Sequence, residues 1–163
     1  MEVQYLTLML ETKQIFGITN EPVKEEDIIA LQEKLDIMFP KAYQEFLFIG
    51  GNSSNMINSD HGFYHPLRDD LNYMEEIQER VSKFLKGEGL EIEGGDFWVI
   101  CELDGGEQFH FFYFDDPDAL DAENPPVYAS FPAYLDEGLS LKKKIADTFS
   151  QYIDDKIKAY TKQ

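Results

Sequence analysis

A chain of 163 residues with a hydrophobic fraction of 43% is the size of one compact domain and carries enough apolar material for one packed core. Its 32 acidic residues against 14 Lys and Arg leave a net charge of -18, a potential that repels nucleic acid and anionic membranes and attracts basic surfaces. No stretch approaches the roughly 20 apolar residues that span a bilayer, and the run Tyr5 to Leu10 is too short and too acidic in its flanks for a secretory signal, so a cytoplasmic protein is expected.

The charge is unevenly spread. Residues 1 to 86 hold fifteen acids against eight Lys or Arg, and residues 142 to 163 hold three against six. Between Gly87 and Leu141 there are fourteen acids and no Lys or Arg. A solvated face that serves only solubility normally interleaves both signs, so this segment reads as a coherent negative surface. The single cysteine, Cys101, excludes a disulfide framework and a cysteine-based zinc site, and reads as a small buried hydrophobe in a strand.

In chain order, Leu6, Leu10 and Phe16 suggest a short helix closed by Gly17. From Lys24, the acids Glu25, Glu26 and Asp27 favour a helix N-terminus, and Ile28, Leu31 and Leu35 recur at helical spacing up to about Asp36. Pro40 suits the first position of the next helix, whose apolar face is Tyr43, Phe46 and Leu47 and whose stop is Gly50-Gly51. Residues 52 to 66 read as a loop with at most one short strand. Leu71, Met74, Ile77, Val81 and Leu85 predict a further helix, stopped by Gly87 and Gly89.

The segments Asp96 to Glu102 and Glu107 to Phe114 are β-branched and aromatic, and Asp104-Gly105-Gly106 between them signals an antiparallel hairpin. Phe109, Phe111 and Tyr113 face one way in the second strand while Phe112 and Phe114 face the other, which predicts a central strand with helices on both sides. Asp115 to Pro126 is an acidic loop, Val127 to Phe131 a strand ended by Pro132, and Leu141, Ile145, Phe149, Tyr152, Ile153, Ile157 and Tyr160 mark a long closing helix. Lys142 to Lys144 oppose its dipole, which moves the expected first turn toward Ala146 and Asp147. The order of elements predicts an α+β fold: a central, mostly antiparallel sheet covered by helices.

Catalytic signals are weak. His61 and His65, with Asp60 beside them, have the spacing of two ligands on one helix face, but Gly62 and Pro66 argue against a helix there and no third ligand is suitably spaced. His110, among aromatics, reads as a hydrogen-bonded structural histidine. Carboxylate pairs such as Asp115-Asp116 carry no weight where nearly a fifth of the chain is acidic, and neither a nucleophile elbow nor a phosphate-binding glycine loop is present. No cofactor, metal or catalytic residue is expected, and a hydrolase built on His61 or His110 is the least favoured reading.

The landmarks, taken in order, resemble the SUKH superfamily, whose members include Smi/Knr-type regulators of fungal cell-wall synthesis and bacterial immunity proteins. The resemblance rests on Val23 to Leu35 (VKEEDIIALQEKL), the corner and helix Phe39 to Leu47, Gly50-Gly51, Asp104-Gly105-Gly106, Pro126-Val127-Tyr128 and Ile145 to Ile153, and it covers about residues 19 to 158. The acidic insertion Asp115 to Asn124 and the loop Asp136 to Leu141 depart from the pattern. It implies a single SUKH-like domain over residues 19 to 163, with residues 1 to 18 as a helical extension packed on it.

What the resemblance implies for function is a binding role without catalytic residues. The expected partner is a cognate toxin protein with a basic surface, a nuclease being one such class, and an intracellular regulatory adaptor is the alternative. Direct binding to nucleic acid or membrane is not expected. The expected contact residues are the acids of the segment from Asp104 to Glu123, chiefly Asp104, Glu107, Asp115, Asp116, Asp118 and Asp121, because turns and loops expose them and no local Lys or Arg neutralises them.

Overall fold

The structure, a computed structural model, describes residues 1–15, 18–51 and 71–161. The expected loop at 52–66, the His61 and His65 pair, and Phe16 and Gly17 lie outside the described residues.

The chain starts with a short helix α1 (Thr7–Glu11) and then turns into a small antiparallel hairpin, β1 (Gln14–Ile15) and β2 (Ile18–Thr19). The helix therefore ends earlier than Leu6, Leu10 and Phe16 predict. Leu6, at its cap, and Met9 within it are buried, whereas Leu10 is half exposed. The apolar spacing in this segment is too short to distinguish one helical turn from three.

Helix α2 (Glu25–Leu35) carries its three acids in the first turn and Lys34 in the last, as the dipole favours. It ends at Asp36, which adopts the left-handed conformation (φ 52°) and donates its N–H back to the carbonyls of Gln32 and Glu33. The buried Gln32 then closes the corner, its side-chain oxygen accepting the Phe39 N–H at 2.7 Å. Helix α3 (Lys41–Gly50) follows, with Pro40 at the cap position (φ -54°, ψ 146°), so the helix begins one residue later than predicted. Tyr43, Phe46 and Leu47 are fully buried.

Helix α4 (Leu71–Gly87) has the predicted stripe of Met74, Ile77, Val81 and Leu85 inside. Strands β3 (Phe97–Leu103), β4 (Gln108–Tyr113), β5 (Val127–Ser130) and β6 (Lys143–Ala146) form an antiparallel sheet in the order β3-β4-β5-β6. The connection from β3 to β4 is a 3-10 turn, Asp104–Gly106, whose Gly105 (φ 72°) and Gly106 (φ 110°) occupy conformations open to glycine. The fold is α+β, as the sequence predicts.

Both faces of β4 are buried. Phe109, Phe111 and Tyr113 pack with Ile77, Val81 and Leu85 of α4, while Phe112 on the opposite face packs with Tyr43 of α3 and with Phe149. Phe149 opens the closing helix α5 (Phe149–Thr161). Cys101 lies buried in β3, facing this second core.

The closing helix begins later than predicted. Leu141 precedes β6 and Ile145 lies within it, 38% exposed, so neither belongs to the helical stripe. Two forces set the boundary. Lys142 to Lys144 would sit unfavourably at a helix N-terminus, whereas Thr148 makes a good cap. Its hydroxyl accepts the Gln151 N–H at 3.1 Å, and the Gln151 side chain reaches back to the Asp147 N–H at 3.0 Å, a variant of the capping box.

Candidate protein-binding face

The acidic segment enters at the β3–β4 turn and continues in the loop between β4 and β5. Asp104 opens the turn. Glu107, immediately before β4, is half-buried, and its carbonyl accepts the Ala133 N–H at 3.4 Å.

The loop from Asp115 is held by its own carboxylates. Asp116 accepts the Tyr128 hydroxyl at 2.8 Å through one oxygen and the Asp118 N–H at 2.9 Å through the other. Asp121 accepts the Tyr5 hydroxyl at 2.7 Å and the Glu123 N–H at 2.9 Å. These are paired Asx turns, each tied to a tyrosine on another part of the chain. Glu123 joins the loop to α3, accepting the Lys41 N–H at 2.6 Å. Asn124 reaches α5, donating to the Ser150 hydroxyl at 2.8 Å and accepting the Ser150 N–H at 2.9 Å.

This framework divides the acids into two kinds. Asp116, Asp121 and Glu123 are used within the fold. Asp115 and Asp118 project into solvent, together with Leu120, whose relative exposure is 103%. Chain patterning identified the acids as a group but missed both this division and Leu120. The signal was present in the spacing Asp116-x-Asp118 and Asp121-x-Glu123, because an aspartate that accepts the N–H two residues on is the signature of an Asx turn.

The tyrosines record the local field. The Asp121 carboxylate at its hydroxyl pushes the Tyr5 phenol up to about 12, with burial adding to the effect. Burial and then the hydrogen bond to Asp116 push Tyr128 up as well. Lys142, the first cation after the long acidic stretch, lies over the rings of both Tyr113 and Tyr128, 4.8 and 4.9 Å from their centroids.

His110 is hydrogen-bonded, its Nδ1 2.8 Å from the Tyr152 hydroxyl, which also lies 3.7 Å from Cys101 Sγ. Among the described residues no cluster of three or more His, Cys, Asp or Glu is arranged to hold a metal ion. No helix among them is long and apolar enough to cross a membrane.

No curated protein and no solved structure gives a significant match to the chain. Residues 22–155, most of its length, match the family model described as the SMI1 / KNR4 family (SUKH-1). The match spans α2 through most of α5 and includes the acidic loop, so the chain belongs to the SMI1/KNR4 (SUKH-1) family.

Proposed function

We propose that this chain is a cytoplasmic immunity protein that binds and neutralises a cognate secreted toxin, and that it acts by occlusion, without catalysis. The observation that carries this reading is the stretch Gly87–Leu141, with fourteen acids and no Lys or Arg, in a chain of a family that includes immunity proteins. A toxin that acts on nucleic acid must present a basic surface to attract phosphate, and an acidic partner can cover that same surface. The contact segment runs from Asp104 to Glu123. Asp115 and Asp118 on its hydrogen-bonded loop meet the partner's cations, while Asp104 and Glu107 border the same segment.

Preorganisation supports this reading. A loop already fixed by Asp116 and Asp121 loses little conformational freedom on docking, and exposed carboxylates without ion-pair partners among the described residues accelerate encounter with a basic surface. Co-expression with a toxin encoded beside this gene tests the proposal. Cells that make the toxin survive only when this chain is made as well if it holds, and equal killing with and without this chain removes it.

A further inference from the structure

A second acidic feature lies at the free edge of β3. An open cleft of about 1090 Å³ runs between α4, β3, the segment Leu90 to Asp96 and the corner Leu35 to Met38. Its rim carries Asp36, Glu75, Glu79, Glu91, Glu93 and Asp96, against Lys86. Glu75 is paired with Lys34 at 2.9 Å, while the other five acids have no ion-pair partner among the described residues.

The floor is apolar. Phe97, Trp98 and Phe114 line it, Phe97 and Phe114 are half-buried, and Met38 stands 70% exposed at the corner. The walls are held in place. The Tyr113 hydroxyl donates to the Glu93 carbonyl at 2.5 Å, and Gly94 lies so close to the Tyr113 ring that a Cβ there would approach it to 2.8 Å.

The Gln78 amide satisfies both backbone groups of Val99 on this edge, donating to its carbonyl and accepting its N–H, each at 2.8 Å. An occupant of the cleft is therefore read by side chains at this point, and not by adding a strand to β3.

We propose that this cleft seats an extended segment of a partner protein in which Lys or Arg alternates with apolar residues, the cations meeting the rim and the apolar side chains resting on the floor. The inference depends on the chain being a protein-binding module, and does not depend on the partner being a toxin. Charge complementarity selects the occupant, because five acids without an ion-pair partner among the described residues, against the single cation Lys86, border one apolar trough and favour a cationic, apolar-studded chain over a neutral or acidic one.

Trp98, the chain's only tryptophan, lies on the floor and serves as the reporter. The probe is a synthetic peptide of about eight residues alternating Arg and Leu, roughly the length of a strand that crosses such a trough. Titration should change Trp98 emission saturably at one peptide per chain. The combined variant Glu79→Gln, Glu93→Gln and Asp96→Asn should weaken binding about tenfold or more, and Met38→Ser should weaken it too. The pair Asp136→Asn and Glu137→Gln, exposed on a separate loop outside the cleft lining, should leave it unchanged, with circular dichroism confirming that every variant is folded.

No saturable binding, equal binding of an all-Arg peptide, or equal weakening by the loop pair would each overturn the proposal. A chain that protects against its toxin but does not bind the peptide removes the cleft and leaves the immunity reading standing. Peptide binding without protection does the reverse.

Discussion

Glu123 caps helix α3 from 82 residues away, its carboxylate accepting the Lys41 N–H at 2.6 Å while its carbonyl accepts the Ala42 N–H at 2.9 Å. Pro40, at the cap position, has no side-chain acceptor to offer, so the acidic loop supplies what the local sequence lacks. Glu123→Ala should cost about 1 kcal/mol of stability, the usual value of a lost N-cap. Asp115→Asn and Asp118→Asn, exposed and used by nothing in the fold, should each stay within about 0.5 kcal/mol of the parent. Urea denaturation separates the two classes, and a Glu123→Ala variant as stable as the parent would mean that the loop does not cap α3.

Glu45 presents a related case in the core. Its fully buried carboxylate accepts the N–H groups of Gln4, Tyr5 and Leu6 at 2.7, 2.9 and 3.0 Å, so it anchors the segment leading into α1. Glu45→Gln replaces one acceptor oxygen with a donor that faces donors. A loss of about 2 kcal/mol is expected, with faster amide exchange in Thr7–Glu11 than in α3. Unchanged exchange in α1 would show that apolar packing of Leu6 and Met9 alone holds it.

The tyrosine–aspartate pairs make the loop sensitive to alkali. In the fold, Tyr5 is raised to about 12 from its ordinary value of 10.0, chiefly by the hydrogen bond to Asp121, and Tyr128 is raised as well, chiefly by burial. A group whose folded value is raised stabilises fully below its unfolded value and loses that stabilisation as pH rises through the folded one. Stability should therefore hold up to about pH 10 and decline toward pH 12 as Tyr5 ionises. Tyr5→Phe should lower stability at neutral pH and flatten that decline. Tyrosinate absorbance followed alongside circular dichroism checks it, and an identical slope in the variant would detach Tyr5 from the effect.

The two-sided core was legible because β4 alternates large aromatics on both faces, and no partly solvated strand carries Phe109, Phe111, Phe112 and Tyr113 together. Phe112→Ala, emptying a site shared by Tyr43 and Phe149, should cost about 3–5 kcal/mol. The limits of α1 and α5 were less legible. In α5, apolar spacing continues backward through Ile145 and Leu141 into an edge strand; Lys142 to Lys144 moved the expected start toward Ala146 and Asp147, and the Thr148–Gln151 cap fixes it at Phe149. Glu123 and Glu45 were not legible at all, since each serves an element far away in sequence. The cleft was hidden for the same reason: its acids come from three separated stretches that meet only in the fold.

The binding role proposed for the acidic loop is tested by rates. Exposed charges at an interface rim govern association and its salt dependence more than final affinity, because they act during the diffusional approach, before desolvation. Three acids of the expected contact segment, Asp104, Asp115 and Asp118, are changed together to Asn. With the cognate toxin, the variant should associate about tenfold more slowly at low salt and with a flatter salt dependence, while its unfolding midpoint shifts little. Asp116→Asn and Asp121→Asn should behave differently. Both carboxylates brace the loop through Tyr128 and Tyr5, so their loss should lower stability and raise the dissociation rate as the preorganised loop loosens. If the triple variant associates as fast as the parent at low salt, the loop only solubilises the protein, and the toxin's contacts lie elsewhere on the surface.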